Sequence, residues 1–348
     1  MSNPAPTPTP LIACLESFLS PTLNIPASPS SPALQLLTPP MLSKLRNLGH
    51  PRIRDAHALG HTTQIISHIP IATTPHMCMK LNDALDVGTR MQNGKMVALA
   101  LLPSGPGEGR EAAQELQRCV TKLKFVGGVV AVGRGLEDVS YEEAWKMAQR
   151  LGVPIVLREM WPSGDQIAQY AEGLPDSVVA PLATHLHNAH VASPMLILRY
   201  YLNGVFDRYP SLRLVIAHPG SLPSLLPRID TVLDSIPSAE RPKRSFLDVW
   251  QHNFYLTTGD ILDMSSMRTL LEQIPMDRVL YASNYPLEER GRDMMNELKE
   301  SAFLTDEEWE RLAWRNAEQL FHLPSPFWGP YSANTKVVAQ PGHHVVIA

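Results

Sequence analysis

Six polar side chains in this sequence stand at or near the ends of short apolar runs. The carboxyl ends of parallel strands meet at one edge of a sheet or barrel, so side chains from distant parts of the chain converge there. A histidine can move protons near neutral pH, an arginine can bind an anionic oxygen, and hydroxyl and amide groups can donate hydrogen bonds. The six residues are Ser17, His68, Arg158, His218, Asp260 and Asn284.

Each of the most reactive side chains also has a plain structural interpretation. His218 precedes Pro-Gly and could be a general acid or base, or a core histidine that makes only structural hydrogen bonds. Arg158 could bind a carboxylate or enolate through two parallel hydrogen bonds, or form a rim salt bridge with Glu159. Asn284 could donate to a carbonyl oxygen or hold a turn, but an amide cannot move a proton. These residues favour proton transfer and anion binding if the fold brings them together.

Eight apolar runs, rich in aliphatic residues and closed by Pro, Gly or polar residues, predict buried parallel strands. Amphipathic segments lie between them, as at 109–123 and 141–152, and Thr305 with Glu308 forms a capping-box pattern before a further helix. Alternating strands and helices predict a (β/α)8 TIM barrel. A doubly wound open sheet is the alternative, but no GxGxxG follows the first run. The runs are 11–18, 63–71, 96–103, 125–133, 153–159, 212–220, 253–260 and 278–286.

Composition and charge exclude several classes of function. The net charge is −4 and no block of lysine and arginine occurs, so nothing indicates binding to nucleic acid or to a membrane surface. No apolar run approaches the roughly 18 residues that a membrane span needs. The first ten residues lack the basic and apolar regions of a secretory signal. Cys14, Cys78 and Cys119 are far apart, which suits a reducing compartment. We therefore expect a cytoplasmic protein.

The order along the chain predicts one folded domain between two arms. Residues 1–10 are rich in proline and predict a flexible arm. Residues 11–325 contain all the predicted strands and helices, without a convincing linker, and form the expected barrel domain. Residues 326–348 are expected to form a C-terminal arm that packs on the surface or on a neighbouring subunit.

Three blocks of the sequence are distinctive: "LRYYLNGVFDRYPSLRLVIAHPGSLPSLLPRID", "NFYLTTGD" and "DRVLYASNYPLEE". Together with "IACLESF" and "WRNAEQLFHL", they resemble the amidohydrolase-related family of metal-dependent decarboxylases. Members of this family act on aminocarboxymuconate semialdehyde or on hydroxybenzoic acids such as resorcylate and salicylate. The resemblance spans about residues 11 to 325. It implies the amidohydrolase form of the TIM barrel, a small-molecule substrate and a homodimer.

The family holds one divalent ion with side chains from its first, fifth, sixth and eighth strands. The corresponding positions in this sequence are Leu15, Ser17, Arg158, His218 and Asn284. Leucine has no donor atom, serine and asparagine are weak neutral ligands, and arginine is a permanent cation that repels a metal. One histidine cannot hold an ion alone. We therefore predict a site without a metal and without another cofactor.

The resemblance and the residue chemistry together give the predicted site. His218, Arg158 and Asn284 are the predicted catalytic residues, and the predicted substrate-binding residues are Ser17, His68, Asp260 and Leu15. Glu16 alternates with Ser17 along the strand, so we expect it to face outward in a structural role. His185 and His187 would share a face of a strand and could bind zinc, but a loop at 184–190 is favoured.

Two classes of function follow. The first is a metal-independent, non-hydrolytic enzyme acting on a phenolic or polyketide-like substrate in specialised metabolism, as a lyase, cyclase or isomerase. Metal-free decarboxylation of a hydroxyaryl or β-keto acid is an alternative within this class. Hydrolysis is disfavoured because nothing replaces the metal in activating water. The second class is a pseudoenzyme that binds a ligand or a partner protein.

Overall fold

The structure is a computed structural model that describes residues 10–23, 32–92, 94–132, 141–191, 194–220, 222–261, 263–289 and 291–324. Most of the predicted arms at 1–10 and 326–348 therefore lie outside the described residues. The predicted domain boundaries stay predictions. Within the described ranges, no helix is both long enough and apolar enough to cross a bilayer.

Eight parallel strands form the barrel, in the order in which they occur along the chain. Closure comes from backbone hydrogen bonds between the first strand and the segment that follows the last: Cys14 N to Tyr281 O at 2.8 Å and Ser17 N to Tyr285 O at 2.8 Å. The predicted (β/α)8 barrel is confirmed. The strands are β1 Leu11–Phe18, β2 His61–His68, β3 Met96–Leu101, β4 Gly128–Val132, β5 Ile155–Glu159, β6 Leu214–Ile216, β7 Phe254–Thr257 and β8 Val279–Leu280.

Helices connect the strands and pack around them. The segment predicted at 141–152 contains a helix over Glu142–Leu151, and Gly152 caps its C-terminus with a φ of 67°, which favours glycine. Thr305 and Glu308 form the predicted capping box. The helices are α1 Pro39–Arg46, α2 His50–Ala58, α3 Pro75–Arg90, α4 Gly109–Arg118, α5 Glu142–Leu151, α6 Gly164–Ala171, α7 Asp176–Pro181, α8 His187–Val191, α9 Pro194–Leu202, α10 Val205–Arg208, α11 Leu222–Asp234, α12 Phe246–Asn253, α13 Met264–Gln273, α14 Gly291–Glu300, α15 Asp306–Glu310 and α16 Asn316–Phe321.

The loop predicted at 184–190 is instead helical, which corrects that interpretation. A π-helical turn over Leu182–Leu186 joins α7 to α8 without a break. Residues two apart on a helix point in very different directions, so His185 and His187 do not share a face. His185 lies 3.6 Å from Glu288, whereas His187 is buried. The zinc site that a strand would have allowed is therefore not formed by this pair.

Aromatic packing fixes the helices on the β4–β6 side of the barrel. The Trp145 ring of α5 lies between the ring of Tyr141, the N-cap residue of α5, and the ring of Tyr200 in α9. The centroid of Trp145 is 5.0 Å from that of Tyr141 and 5.6 Å from that of Tyr200, both in edge-to-face geometry. All three side chains are almost fully buried. Burying a large aromatic ring in such a cluster stabilises a fold by about 3–5 kcal/mol relative to alanine. This contact matters for the site because α9 forms part of its wall.

Candidate active site

Arg158 and Glu159 are adjacent in β5, and their oppositely charged side chains lie on opposite faces of the strand. Successive side chains of a strand alternate in direction. Arg158 reaches the hydroxyl groups of β1 and β2, while Glu159 reaches the histidine that follows β6. Both side chains are buried. The end of β5 therefore supplies a cation to one region and a carboxylate to the next.

The first region, called here the interior cluster, consists of Ser17, Ser67 and Arg158. Ser17 and Ser67 are paired in the register of β1 and β2, so their hydroxyl groups lie side by side. Arg158 donates to Ser17 Oγ at 2.6 Å and to Ser67 Oγ at 3.3 Å. Burial lowers the pKa of Arg158 to about 10, against the opposing effect of the charges of Glu159 and Glu16. The guanidinium is still cationic at neutral pH.

A β-bulge in β1 sets the direction of the first-strand side chains. Ala13 pairs with Gln64 and Glu16 with Ile66, so β1 contains one residue more than its partner over this interval. Leu15 takes up the bulge with a φ of 66°, and its side chain is buried. Leu15 has no polar atom on its side chain, so it adds neither a metal ligand nor a hydrogen bond.

Glu16 has the structural role that strand alternation predicts. Its carboxylate accepts hydrogen bonds from Ser283 N at 3.1 Å, Ser283 Oγ at 3.0 Å and Tyr285 N at 2.6 Å. Burial raises the pKa of Glu16 to about 7, although these donors and the charge of Arg52 act in the other direction. The residue ties β1 to the segment after β8 and so helps to close the barrel.

The second region contains a carboxylate–histidine pair, called here the dyad: Glu159 and His218. Glu159 Oε2 lies 2.7 Å from His218 Nδ1, and the two side chains are only 7% and 4% exposed. An ionised carboxylate only accepts hydrogen bonds, so Nδ1 carries the proton. Asn188 Nδ2 lies 3.3 Å from Nε2 and can donate to it in the neutral tautomer. The dyad can therefore orient an imidazole and stabilise its protonated form.

A cavity of about 440 Å³ opens beside the dyad, at the carboxyl ends of β4, β5 and β6. Its described wall includes Glu159 and His218 together with apolar residues of the strands and of α9. Of the seven residues predicted to form the site, only His218 lines it. Arg158 instead borders a small adjoining crevice, which it shares with Glu159 and Asn188. Among the seven predicted residues, His218 is therefore the one that a molecule in the large cavity would contact directly.

Both ring nitrogens of His68 are hydrogen-bonded to the backbone, and its predicted contact with substrate stays a prediction. Its Nδ1 lies 2.8 Å from Ile69 O, and its Nε2 accepts a hydrogen bond from Ser20 N at 3.0 Å. Burial lowers the pKa of His68 to about 4, and the charge of Arg158 acts in the same direction. A neutral ring with both nitrogens bonded to the backbone has no free donor or acceptor for a substrate.

Asp260 holds a turn next to the dyad. One carboxylate oxygen accepts from Gly220 N at 2.6 Å, in the turn that follows His218. The other oxygen is buried and has no hydrogen-bond partner among the described residues. Burial raises the pKa of Asp260, while the nearby charge of His218 acts to lower it. Its predicted contact with substrate stays a prediction.

Asn284 lies in the turn after β8, where its φ is 58°. Its backbone carbonyl accepts hydrogen bonds from Leu287 N at 3.0 Å and Glu288 N at 3.2 Å. Asparagine tolerates this left-handed conformation better than most residues. The side chain is buried and is not part of the described cavity wall. Turn formation accounts for the residue, and its predicted catalytic role stays a prediction.

Two residues that line the cavity, Glu159 and His187, are absent from the predicted site. For Glu159, the signal in the sequence is the alternation of side chains along a strand, which places Arg158 and Glu159 on opposite faces. His187 lines the cavity from α8, with Nε2 3.0 Å from Met160 O and Nδ1 2.7 Å from Tyr170 OH. No signal in the sequence separates His187 from the other histidines of that segment.

The residues at the expected metal position do not fit a divalent ion. Across the described part of the chain, no group of three or more His, Cys, Asp or Glu side chains could hold one. Arg158 brings a positive charge to that position and is hydrogen-bonded to Ser17 there. A neutral hydroxyl beside a guanidinium is a poor ligand set for zinc or manganese.

The cavity and the Glu159–His218 pair lie at the carboxyl ends of the barrel strands, which is the end where barrel enzymes carry their active sites. The chain belongs to the amidohydrolase family, since the family model of that description matches residues 53–323. It is 30% identical to decarboxylase orsB of Emericella nidulans, over 82% of this chain and 88% of the relative. It is 29% identical to the gamma-resorcylate decarboxylase of a Polaromonas species, over 70% and 76% respectively.

Solved structures show the same fold. A dihydroxybenzoic acid decarboxylase from Polaromonas, with bound manganese and 2-nitroresorcinol, superposes with a TM-score of 0.75 at 24% identity, covering 90% of this chain and 97% of the other. A 2,6-dihydroxybenzoate decarboxylase in complex with 2,6-dihydroxybenzoate gives 0.73 at 23%, covering 90% and 100%.

Proposed function

We propose that this protein is a metal-independent lyase that decarboxylates a hydroxyaryl acid, with His218 as the proton donor. The observation that carries the proposal is the 2.7 Å contact between His218 Nδ1 and Glu159 at the edge of the cavity. The decarboxylases among its relatives support the reaction class. Lyase and cyclase reactions on polyketide-like substrates are the broader class that the sequence predicts.

The proposed reaction needs one proton and no external oxidant. The His218 imidazolium gives its proton to the ring carbon that bears the carboxylate, and an ortho hydroxyl group stabilises the resulting dearomatised ring. The carbon–carbon bond to the carboxylate then breaks, its electron pair restores the aromatic ring, and carbon dioxide leaves. His218 regains a proton from water. Glu159 stabilises the imidazolium and keeps the ring oriented.

Metal independence rests on the donor set. In the proposed site, the Arg158 cation takes the place of an ion at the end of β5 and contributes positive potential next to Glu159. Potential of this sign favours carboxylate and phenolate oxygens of a substrate. Arg158 borders the adjoining crevice, so its contribution is electrostatic and does not require direct contact with a molecule in the large cavity.

The test measures release of carbon dioxide from hydroxyaryl acids by the purified protein, with elemental analysis of the same sample. We expect turnover that survives chelation, no stoichiometric metal, and loss of turnover in His218→Gln. A variant with the family's ligand types, Leu15→Glu combined with Ser17→His, Arg158→His and Asn284→Asp, is the matched control and should bind manganese.

Two results would contradict the proposal. Stoichiometric zinc or manganese with chelator-sensitive activity would exclude metal independence. Absence of turnover for any hydroxyaryl acid, with ligand binding retained, would favour the pseudoenzyme. The homodimer and the cytoplasmic location are also proposals, tested by light scattering of the purified protein and by imaging of a tagged chain.

A further inference from the structure

The volume of the cavity indicates the size of the ligand that it can hold. An apolar protein cavity of about 150 Å³ holds one benzene molecule. The cavity beside the dyad has a volume of about 440 Å³, close to three times that value. A single-ring acid would leave most of this space to water, so the space fits a larger molecule.

The chemistry of the wall favours a flat apolar body. Trp161, Leu196, Ile197, Ile216 and Leu222 all line the cavity, and together they come from the β5 and β6 ends, α9 and α11. Aromatic and aliphatic surfaces of this kind bind fused or extended rings by burial of apolar area. The wall therefore selects for ring surface rather than for many polar groups.

The two ends of the cavity differ in exposure and in charge. Glu159 and His218 line it and are buried, so they form its inner end. Arg199 of α9 lines it and is exposed, so it lies where the cavity meets solvent. The Arg199 side chain forms no hydrogen bond or ion pair with another residue in the described ranges. Its guanidinium is available to an anionic oxygen at the outer end.

We infer that the ligand class is an aromatic acid of naphthalene size or larger. Its reacting ring lies at the dyad, and a second anionic oxygen group at its far end binds Arg199. This inference rests on the proposed function and goes beyond it by naming size and a second charge. A substrate of this class is larger than the single-ring acids in the names of the relatives.

The test compares three probes by calorimetry on the full chain: 2,6-dihydroxybenzoate, 2-naphthoate and naphthalene-2,6-dicarboxylate. We expect both naphthalene probes to bind more tightly than the benzoate. Arg199→Gln should weaken the dicarboxylate about tenfold, because a charge-assisted contact is lost, and leave 2-naphthoate unchanged. Trp161→Phe should abolish any fluorescence change on binding while keeping the affinity order, which locates the probes in this cavity.

Each failure has its own signature. Benzoate binding as tight as that of the naphthalene probes, or equal effects of Arg199→Gln on both naphthalene probes, would overturn the inferred ligand class. If 2,6-dihydroxybenzoate were still turned over through His218, the proposed function would survive that result. Tight binding of the naphthalene probes without carbon dioxide release from any hydroxyaryl acid would instead overturn the proposed function and leave the ligand class standing.

Discussion

The interior cluster and the dyad are built from neighbouring residues of one strand, yet they differ in what they can do. In the interior cluster, the buried cation of Arg158 is hydrogen-bonded to two neutral hydroxyl groups, and no carboxylate lies within 4 Å of it in the described chain. In the dyad, the carboxylate of Glu159 is paired with a titratable ring at the edge of a cavity.

The proposed function assigns separate tasks to these two regions. In the proposed function, the interior cluster supplies fixed charge where the family would bind an ion, and the dyad supplies the mobile proton. A permanent guanidinium suits the first task and an imidazole the second. The following predictions test this division, beginning with the largest expected effect.

Removing the ring of the dyad should have the largest effect. His218→Asn keeps a polar side chain but cannot carry the proton, so we expect kcat to fall by about 10³-fold. Steady-state kinetics of carbon dioxide release give the value, and naphthalene-probe affinity is the control for an intact cavity. Activity within a few-fold of the wild type would show that the proton comes from elsewhere.

Glu159→Gln should have the next largest effect. The amide cannot stabilise the imidazolium, and we expect kcat to fall by about 10²-fold with little change in KM. Glu159→Asp is the conservative control and should recover part of the rate. An unchanged kcat would reduce Glu159 to a packing role.

Arg158→Met should raise the stability of the protein and lower its activity. Removing a buried charge without a paired carboxylate should raise the free energy of unfolding by about 1 kcal/mol. Loss of the local positive potential should lower kcat by about tenfold. Urea unfolding and kinetics on the same preparation measure both, with Arg158→Lys as the control that keeps the charge. A large loss of stability with unchanged kcat would make the interior cluster purely structural.

The last prediction concerns stability rather than activity, beside the interior cluster. The folded pKa of His68 is about 4 against an ordinary value of 6.5, so the unfolded chain takes up the proton first as the pH falls. Stability from this residue is present above pH 6.5 and is lost towards pH 4. Glu16, with its pKa raised to about 7, changes stability in the opposite direction.

The contribution of His68 is therefore measured as a difference between variants. We compare the fall in the free energy of unfolding from pH 7.5 to pH 5 in the two proteins. This fall should be about 2 kcal/mol smaller in His68→Gln than in the wild type. Urea unfolding at the two pH values gives the comparison. Equal losses in both proteins would show that the ring is protonated in the folded state.

Much of the fold could be predicted from the sequence, because strand and helix patterns are local. β1 has the predicted bounds of 11–18, while the later runs are longer than their strands because apolar residues continue into the segments on either side. The helix over 182–191 was not predicted, since closely spaced histidines carry no clear period. The amidohydrolase barrel itself followed from motifs along the whole chain.

The sequence by itself determined the barrel, the presence of His218 after β6, and the mismatch between the residues at the family's ligand positions and a divalent ion. Those properties depend on residue type and on order along the chain. Only the tertiary structure decided that Glu159 pairs with His218, that Arg158 bonds to Ser17, and that both ring nitrogens of His68 are occupied. The reason is physical: these contacts join residues far apart in sequence, and their geometry depends on strand register and on the bulge in β1.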